Sequence, residues 1–185
     1  MKNLLVSSLF VVMMLNTGSI DFEPVQLYRE IKKVSHCEKP VSNELSNNRY
    51  LNIDPARGKF FEYRNALPVK YAYIGRVNTC RAQGCSLPGT TPENERSEFF
   101  DYFILFDSTA QVLSVQVYNY EATHGQEITV KGWLKQFVGY NTSKQLTVGK
   151  NVDAISGATI SVHSITYDIS DKTGMLKQYL NETSM

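Results

Sequence analysis

Alternating apolar and polar positions predict an antiparallel sheet in the middle of the chain. Residues 67–77 alternate as a half-buried strand does. Residues 99–106 are almost continuously apolar, which is typical of a strand buried on both faces. Turn-forming residues at 107–110 and renewed alternation over 112–120 make a hairpin the simplest connection between these two strands.

Apolar residues at helical spacing predict helices around this sheet. One helix, ended by Gly139, has apolar positions at i, i+3, i+4 and i+7. These positions are Val130, Trp133, Leu134 and Phe137. A second helix is expected after residue 159, a separate terminal helix over 173–180, and a short helix near Tyr28.

These elements predict a single α+β domain with a largely antiparallel twisted sheet and packed helices. Its expected bounds are residues 67–185. Residues 20–66 are mixed and polar, and we expect them to form an N-terminal extension that packs on the domain. Residues 78–97 contain Gly, Pro, Thr and Asn, so a long loop is expected there.

The first 19 residues have the layout of a signal peptide. Lys2 precedes an apolar-rich run at 4–15, and the small residues Thr17 and Ser19 suit cleavage after Ser19. The run is shorter than the ~20 residues that a membrane-spanning helix needs, which favours cleavage over an uncleaved anchor. Removal of these 19 residues from the 185 would leave 166, enough for one domain with its own core.

Charge and cysteine content narrow the functional classes. The chain has 19 basic and 18 acidic residues, with no basic stripe, which argues against nucleic-acid binding. Under the oxidising conditions met by an exported protein, Cys80 and Cys85 are candidates for a small disulfide loop, with Cys37 left over. Their spacing fits neither c-type haem attachment nor zinc binding, and unpaired thiols are the alternative.

The segment Asp153–Ser161 has the strongest chemical signal in the chain. Gly157 and Ala158 leave the hydroxyl of Thr159 sterically open. The backbone N–H groups that begin the following helix lack partners and lie at the positive end of its dipole, so a phosphate is favoured there. The alternative interpretation is a helix-entry loop in which Ser156 or Thr159 caps the first turn.

This segment resembles the motif of FMN-binding domains whose flavin is attached through its phosphate to a threonine. The family pattern is Asp, two variable residues, Ser or Thr, then Gly-Ala-Thr. Every fixed place is filled here, by Asp153, Ser156, Gly157, Ala158 and Thr159. The best-known members are subunits of the sodium-pumping quinone reductase and of the Rnf electron-transport complex. The resemblance implies that a flavin transferase attaches FMN to Thr159 as a phosphodiester.

A second part of the resemblance precedes the motif. Trp133, Gln136 and Phe137 are similar to the helix that follows a Glu-Thr-Pro-Gly loop in many members. In that loop this chain keeps Thr123 and Gly125, whereas His124 replaces the usual proline. The resemblance makes Thr123, His124 and Gly125 candidates for the polar edge of the flavin, and Trp133 and Phe137 candidates for its apolar face. Helix periodicity alone favours a core position for both aromatic residues.

The leading hypothesis is an exported flavoprotein that relays electrons in the periplasm or at the outer face of the inner membrane. Its expected partners are a flavin transferase and membrane or periplasmic redox proteins. The alternatives are a flavin-loaded component of an extracytoplasmic reductase and a cofactor-free binding module. We do not predict a self-contained enzyme, because the sequence has no other recognisable catalytic constellation.

Overall fold

A computed structural model describes residues 18–45, 49–79 and 98–183. Residues 1–17, which make up nearly all of the predicted signal peptide, lie outside the described residues. So do Cys80 and Cys85, and with them the proposed disulfide loop. Among the helices described, none combines the length and the apolar character needed to span a bilayer.

Five antiparallel strands form one sheet in which each strand pairs with its neighbours in sequence. The strands are β1 (Ser42–Glu44), β2 (Gly58–Tyr63), β3 (Tyr71–Asn78), β4 (Phe99–Phe106) and β5 (Val112–Glu121). With helices packed on the sheet, the α+β prediction is confirmed. The predicted hairpin is confirmed too, since β4 and β5 pair with Ile104 opposite Val115.

Helices cover both faces of the sheet, and β4 is buried between them. Phe100, Tyr102, Ile104 and Phe106 belong to the cluster beneath helix α3 (Thr159–Thr183). Phe103 and Leu105 belong to the opposite cluster, beneath helix α1 (Val25–Ser35). All six side chains are fully buried, as the apolar run of β4 predicts. Burying each one stabilises the fold by roughly 2 kcal/mol.

The prediction of a separate terminal helix is wrong, because α3 runs unbroken for 25 residues. Polar residues in the middle of α3 bond to groups within the same helix. Thr173 Oγ1 donates to the Ile169 carbonyl at 2.6 Å. Lys172 Nζ lies 3.3 Å from the carboxylate of Asp168, one turn earlier. Because these groups are satisfied locally, the polar stretch does not end the helix.

A partly buried polar cluster joins α3 to β4. The hydroxyl of Tyr102 donates to Asp168 Oδ2 at 2.6 Å, and Lys172 Nζ lies 2.6 Å from Asp171 Oδ2. Burial raises the pKa of the Asp168 carboxyl, although Lys172 and the tyrosine hydroxyl oppose that rise. Burial alone would lower the pKa of Lys172, but the Asp168 and Asp171 carboxylates outweigh it and raise that pKa.

Residues 20–66, expected to be an extension, supply two strands of the sheet itself. β2 pairs with β3 from Gly58 opposite Gly75 to Glu62 opposite Tyr71. A Cβ atom at Gly58 or Gly75 would lie within 2.3 Å of the Tyr73 hydroxyl oxygen, so both glycines make room for that ring. The sequence of β2 hides this role because its burial does not alternate regularly.

The predicted helix ended by Gly139 is present as a series of short turns. Helix α2 (Lys131–Leu134) lies between 3-10 turns at Gln126–Thr129 and Lys135–Phe137. Val130 is extended (φ −68°, ψ 119°), so it precedes α2 instead of starting it. Gly139 has a φ of 85°, which ends the helical turns as expected.

Candidate functional site

A tight turn leads into the first residue of α3. The Ala158 N–H donates to the Ile155 carbonyl at 3.2 Å, and Gly157, within this turn, has a φ of 82°. The Ala158 carbonyl then accepts the Val162 N–H at 2.9 Å. Ala158 is therefore the residue before the helix, and Thr159 is the first within it. The predicted loop-to-helix transition is confirmed.

The surroundings of Thr159 fit a phosphate group. Thr159 is exposed, and a Cβ placed on Gly157 would meet no atom within 4 Å, so this side of the turn is open. The first turn of α3 contains no acidic residue. Its unpaired N–H groups lie at the positive end of a 25-residue helix dipole. These features match the donor set that an anionic ester at Thr159 needs.

The start of α3 forms one wall of a cleft of about 140 Å³. Residues 157–161 line it from the helix side. Thr79 at the end of β3, Glu98 before β4 and His124 after β5 line the remainder. Three segments distant in sequence thus meet at the motif.

Glu98 ties two of these segments together. Its Oε1 accepts hydrogen bonds from the Thr123 hydroxyl at 2.7 Å and from the Thr123 N–H at 3.2 Å. Its backbone carbonyl accepts the Thr79 N–H at 2.9 Å. The hydroxyl of Thr123 also lies 2.9 Å from His124 Nδ1. Sequence reasoning missed Glu98, which directly follows the expected loop at 78–97 and belongs to no motif.

Gly125 is held against α3 by Tyr120. The Tyr120 hydroxyl donates to the His124 carbonyl at 2.6 Å and lies 3.2 Å from Ser161 Oγ. Gly125 is buried with a φ of 89°, and a Cβ there would lie 2.7 Å from Ser161 Oγ and 2.9 Å from the Tyr120 hydroxyl. Burial raises the pKa of Tyr120, which keeps its hydroxyl protonated as a donor. Sequence reasoning assigned no role to Tyr120, and none to Ser161 although it ends the motif segment.

Trp133 supports the motif from outside the cleft. Its indole N–H donates to the Asp153 carbonyl at 2.9 Å, while the Asp153 N–H donates to Gln136 Oε1 at 2.7 Å. Trp133 is half-buried and packs edge-on against Phe137. Phe137 is completely buried and does not line the cleft. This core position is the one that the helix periodicity favours.

The structure therefore brings some predicted site residues together and separates others. Gly157, Ala158, Thr159 and His124 line one cleft, with Thr123 and Gly125 bonded or packed directly behind it. Ser156 and Asp153 are exposed on the approach to the turn and do not line this cleft. Trp133 does not line this cleft either, and it bonds to the motif through the Asp153 carbonyl.

Comparison with known families agrees with this geometry. Residues 98–171, from the start of β4 to the middle of α3, match the family model described as the FMN-binding domain. This match supports a flavin-binding protein with FMN as its cofactor. No curated protein matches the chain.

Proposed function

We propose that FMN is held covalently, through a phosphoester to the Thr159 hydroxyl. The observation that carries this proposal is the exposed Thr159 at the first residue of α3, beside the open face of Gly157. A modifying enzyme needs access to that oxygen, and the neighbouring Ile160 is also exposed, at 40%. A threonine that merely capped the helix would lie one residue earlier, where Ala158 stands.

The attachment is a phosphoryl transfer from FAD. The Thr159 oxygen forms a bond to the phosphorus of the FMN moiety, and the pyrophosphate bond to that phosphorus breaks. AMP leaves, and the hydroxyl proton is released with it. The helix N–H groups would stabilise the charged oxygens of the ester, because they need no rearrangement to do so.

The wider function that we propose is electron transfer outside the cytoplasm. Bound FMN supplies one- and two-electron chemistry, and the protein supplies its position. The signal-peptide pattern of residues 1–19 supports export to the periplasm or the outer face of the inner membrane. A covalent bond would retain the flavin there. A flavin transferase and membrane or periplasmic redox proteins are the partners that this function requires.

The test is the intact mass of the protein produced with an exported flavin transferase. We expect a mass increase equal to FMN less water, flavin fluorescence that persists after denaturation, and modification of the peptide that bears Thr159. Thr159→Ala should abolish all three. Thr183→Ala is the matched control, since Thr183 is exposed at the other end of α3, about 36 Å away.

Two results would contradict the proposal. One is covalent flavin retained in Thr159→Ala. The other is an unmodified wild-type mass while the transferase modifies a known substrate in the same cells. Either result would indicate that the motif is only a helix-entry loop. It would favour reversible FMN binding or a cofactor-free binding module. Turnover of a small acceptor by the purified holoprotein would instead favour the reductase component.

A further inference from the structure

A second surface, which shares no lining residue with the flavin cleft, combines an apolar groove with a rim of lysines. The groove, of about 200 Å³, lies between α1, β5 and α2. The apolar side chains that line it come from all three elements and the turn after α2. They are Val34, Leu113, Val115, Leu134 and Val138. Lys33, Lys131 and Lys135 line it as well.

The lysines give this groove a local excess of positive charge. Lys131 and Lys135 are exposed, and neither has a carboxylate within 4.0 Å among the residues that the structure describes. Lys33 is paired with Glu30 at 3.2 Å but remains 71% exposed. Glu30 also accepts a hydrogen bond from Ser114 at 3.0 Å. Two unpaired cations therefore stand beside the groove in a chain whose net charge is only +1.

Exposed apolar side chains lie next to these cations. Val130, just before α2, is 56% exposed. Val138, four residues after the end of α2, is 50% exposed. The half-buried Trp133 lies on the short helix between them. Lysines beside exposed apolar side chains on a short helical segment suit the boundary between lipid headgroups and acyl chains.

We propose that the groove and α2 dock on the surface of an anionic phospholipid bilayer. Lys131 and Lys135 are attracted by the negative surface potential, and Val130 and Val138 enter the headgroup region. Charge complementarity favours an anionic surface over a neutral one, and the exposed Val130 and Val138 favour a bilayer as that surface. The inference is independent of flavin attachment, because none of the residues lining the flavin cleft takes part.

Docking at this surface would orient the flavin-binding domain. Trp133 on α2 bonds the Asp153 carbonyl, and Gln136 in the turn just after α2 bonds the Asp153 N–H, so α2 is tied to the start of the motif. A bilayer that binds α2 would thus present the loop before Thr159 at a fixed angle to the membrane. That orientation suits electron exchange with membrane-bound partners.

The test is co-sedimentation of the full chain with phosphatidylcholine vesicles, with and without phosphatidylglycerol, at low and high salt. We expect binding to increase with phosphatidylglycerol and to fall as salt screens the lysines. Each lysine should contribute about fivefold in affinity, so Lys131→Gln with Lys135→Gln should weaken binding to anionic vesicles roughly 25-fold. Val138→Ser should weaken it at either salt concentration.

The control makes the same change of charge elsewhere. Lys144→Gln with Lys150→Gln removes two exposed lysines that do not line the groove and should leave vesicle binding within about twofold. The apolar run at residues 4–15 is common to all variants, so only differences between variants and between lipids are compared. Thermal melting should show every variant folded, since the substituted side chains are exposed.

Equal losses in the two double variants would overturn the proposal, as would equal binding to both lipid compositions. A groove that recognises acidic proteins instead would bind soluble polyglutamate in a Lys131- and Lys135-dependent way while ignoring vesicles. That result would also refute membrane docking. Flavin attachment at Thr159 is measured separately by mass, so failure of one proposal leaves the other distinguishable.

Discussion

Gly125→Ala is the sharpest test of how the flavin cleft is assembled. Two separate costs arise at this position. The φ of 89° places an alanine in the left-handed region, which costs about 1 kcal/mol or slightly more. The new Cβ would also lie 2.7 Å from Ser161 Oγ and 2.9 Å from the Tyr120 hydroxyl. That contact must displace the Tyr120 hydroxyl from its bond to the His124 carbonyl and its contact with Ser161 Oγ.

The lost contacts determine how far the free energy of unfolding falls in Gly125→Ala. A hydrogen bond contributes about 1 kcal/mol, so losing two adds roughly 2 kcal/mol to the backbone cost. The free energy of unfolding should therefore fall by about 3 kcal/mol in Gly125→Ala. For a chain of this size, that corresponds to a drop in Tm of roughly 6–12 °C. Urea denaturation followed by tryptophan fluorescence measures the change, since Trp133 is the one tryptophan.

Two other glycines provide matched controls. Gly149 and Gly157 have φ values of 81° and 82°, but a Cβ at either would meet no atom within 4 Å. In their alanine variants the free energy of unfolding should fall only by the cost of the left-handed backbone, about 1 kcal/mol. In a background with Tyr120→Phe and Ser161→Ala, Gly125→Ala should likewise cost only about 1 kcal/mol, because both hydroxyl oxygens are gone. Equal losses at Gly125 and Gly149 in the wild-type background would refute the reasoning.

Two further substitutions test the partly buried polar cluster and the support of the motif. Lys172→Met should lower the free energy of unfolding by roughly 3 kcal/mol at pH 7, because it leaves the carboxylate of Asp168, which is only 18% exposed, without its cation. Burial already raises the pKa of Asp168, and loss of the lysine should raise it further. The free energy of unfolding of the variant should therefore decline as pH rises above 3.8, the pKa of the carboxyl in the unfolded chain. A decrease in this free energy, relative to the wild type, that is the same at pH 4 and pH 7 would contradict this assignment. Trp133→Phe should cost about 1 kcal/mol by removing the bond to the Asp153 carbonyl, yet leave the flavin absorption spectrum unchanged. A shifted spectrum would show instead that Trp133 contacts the flavin ring.

The central strands were predictable because their burial follows directly from residue type. The almost unbroken apolar run of β4 requires cover on both faces, and α1 and α3 provide it. β2 was missed because side chains on both of its faces are at least partly buried, so no alternation is visible. The continuity of α3 was missed because Lys172 and Thr173 look like a polar break until their partners one turn earlier are known.

The candidate site likewise has a part that the sequence predicts and a part that it does not. The turn at Gly157 and the helix start at Thr159 are local features, so the motif and the chemistry of small residues were sufficient to predict them. The contacts of Glu98 and Tyr120 join segments 25 and 41 residues apart, to Thr123 and Ser161 respectively. Such contacts depend on the register of the whole sheet. A single sequence does not encode that register in any short pattern.

The strict sequential order of the strands has a consequence for biogenesis. Each strand pairs with the one made just before it, so the sheet can extend hairpin by hairpin as the chain is delivered from its N-terminus. Helix α3 comes last, and until it docks, the apolar face that contains Phe100, Tyr102, Ile104 and Phe106 is exposed to aggregation. The attachment threonine stands at the start of that final helix. On the proposed chemistry, covalent flavin would mark chains that have been delivered past the last strand of the sheet, since Thr159 follows all five.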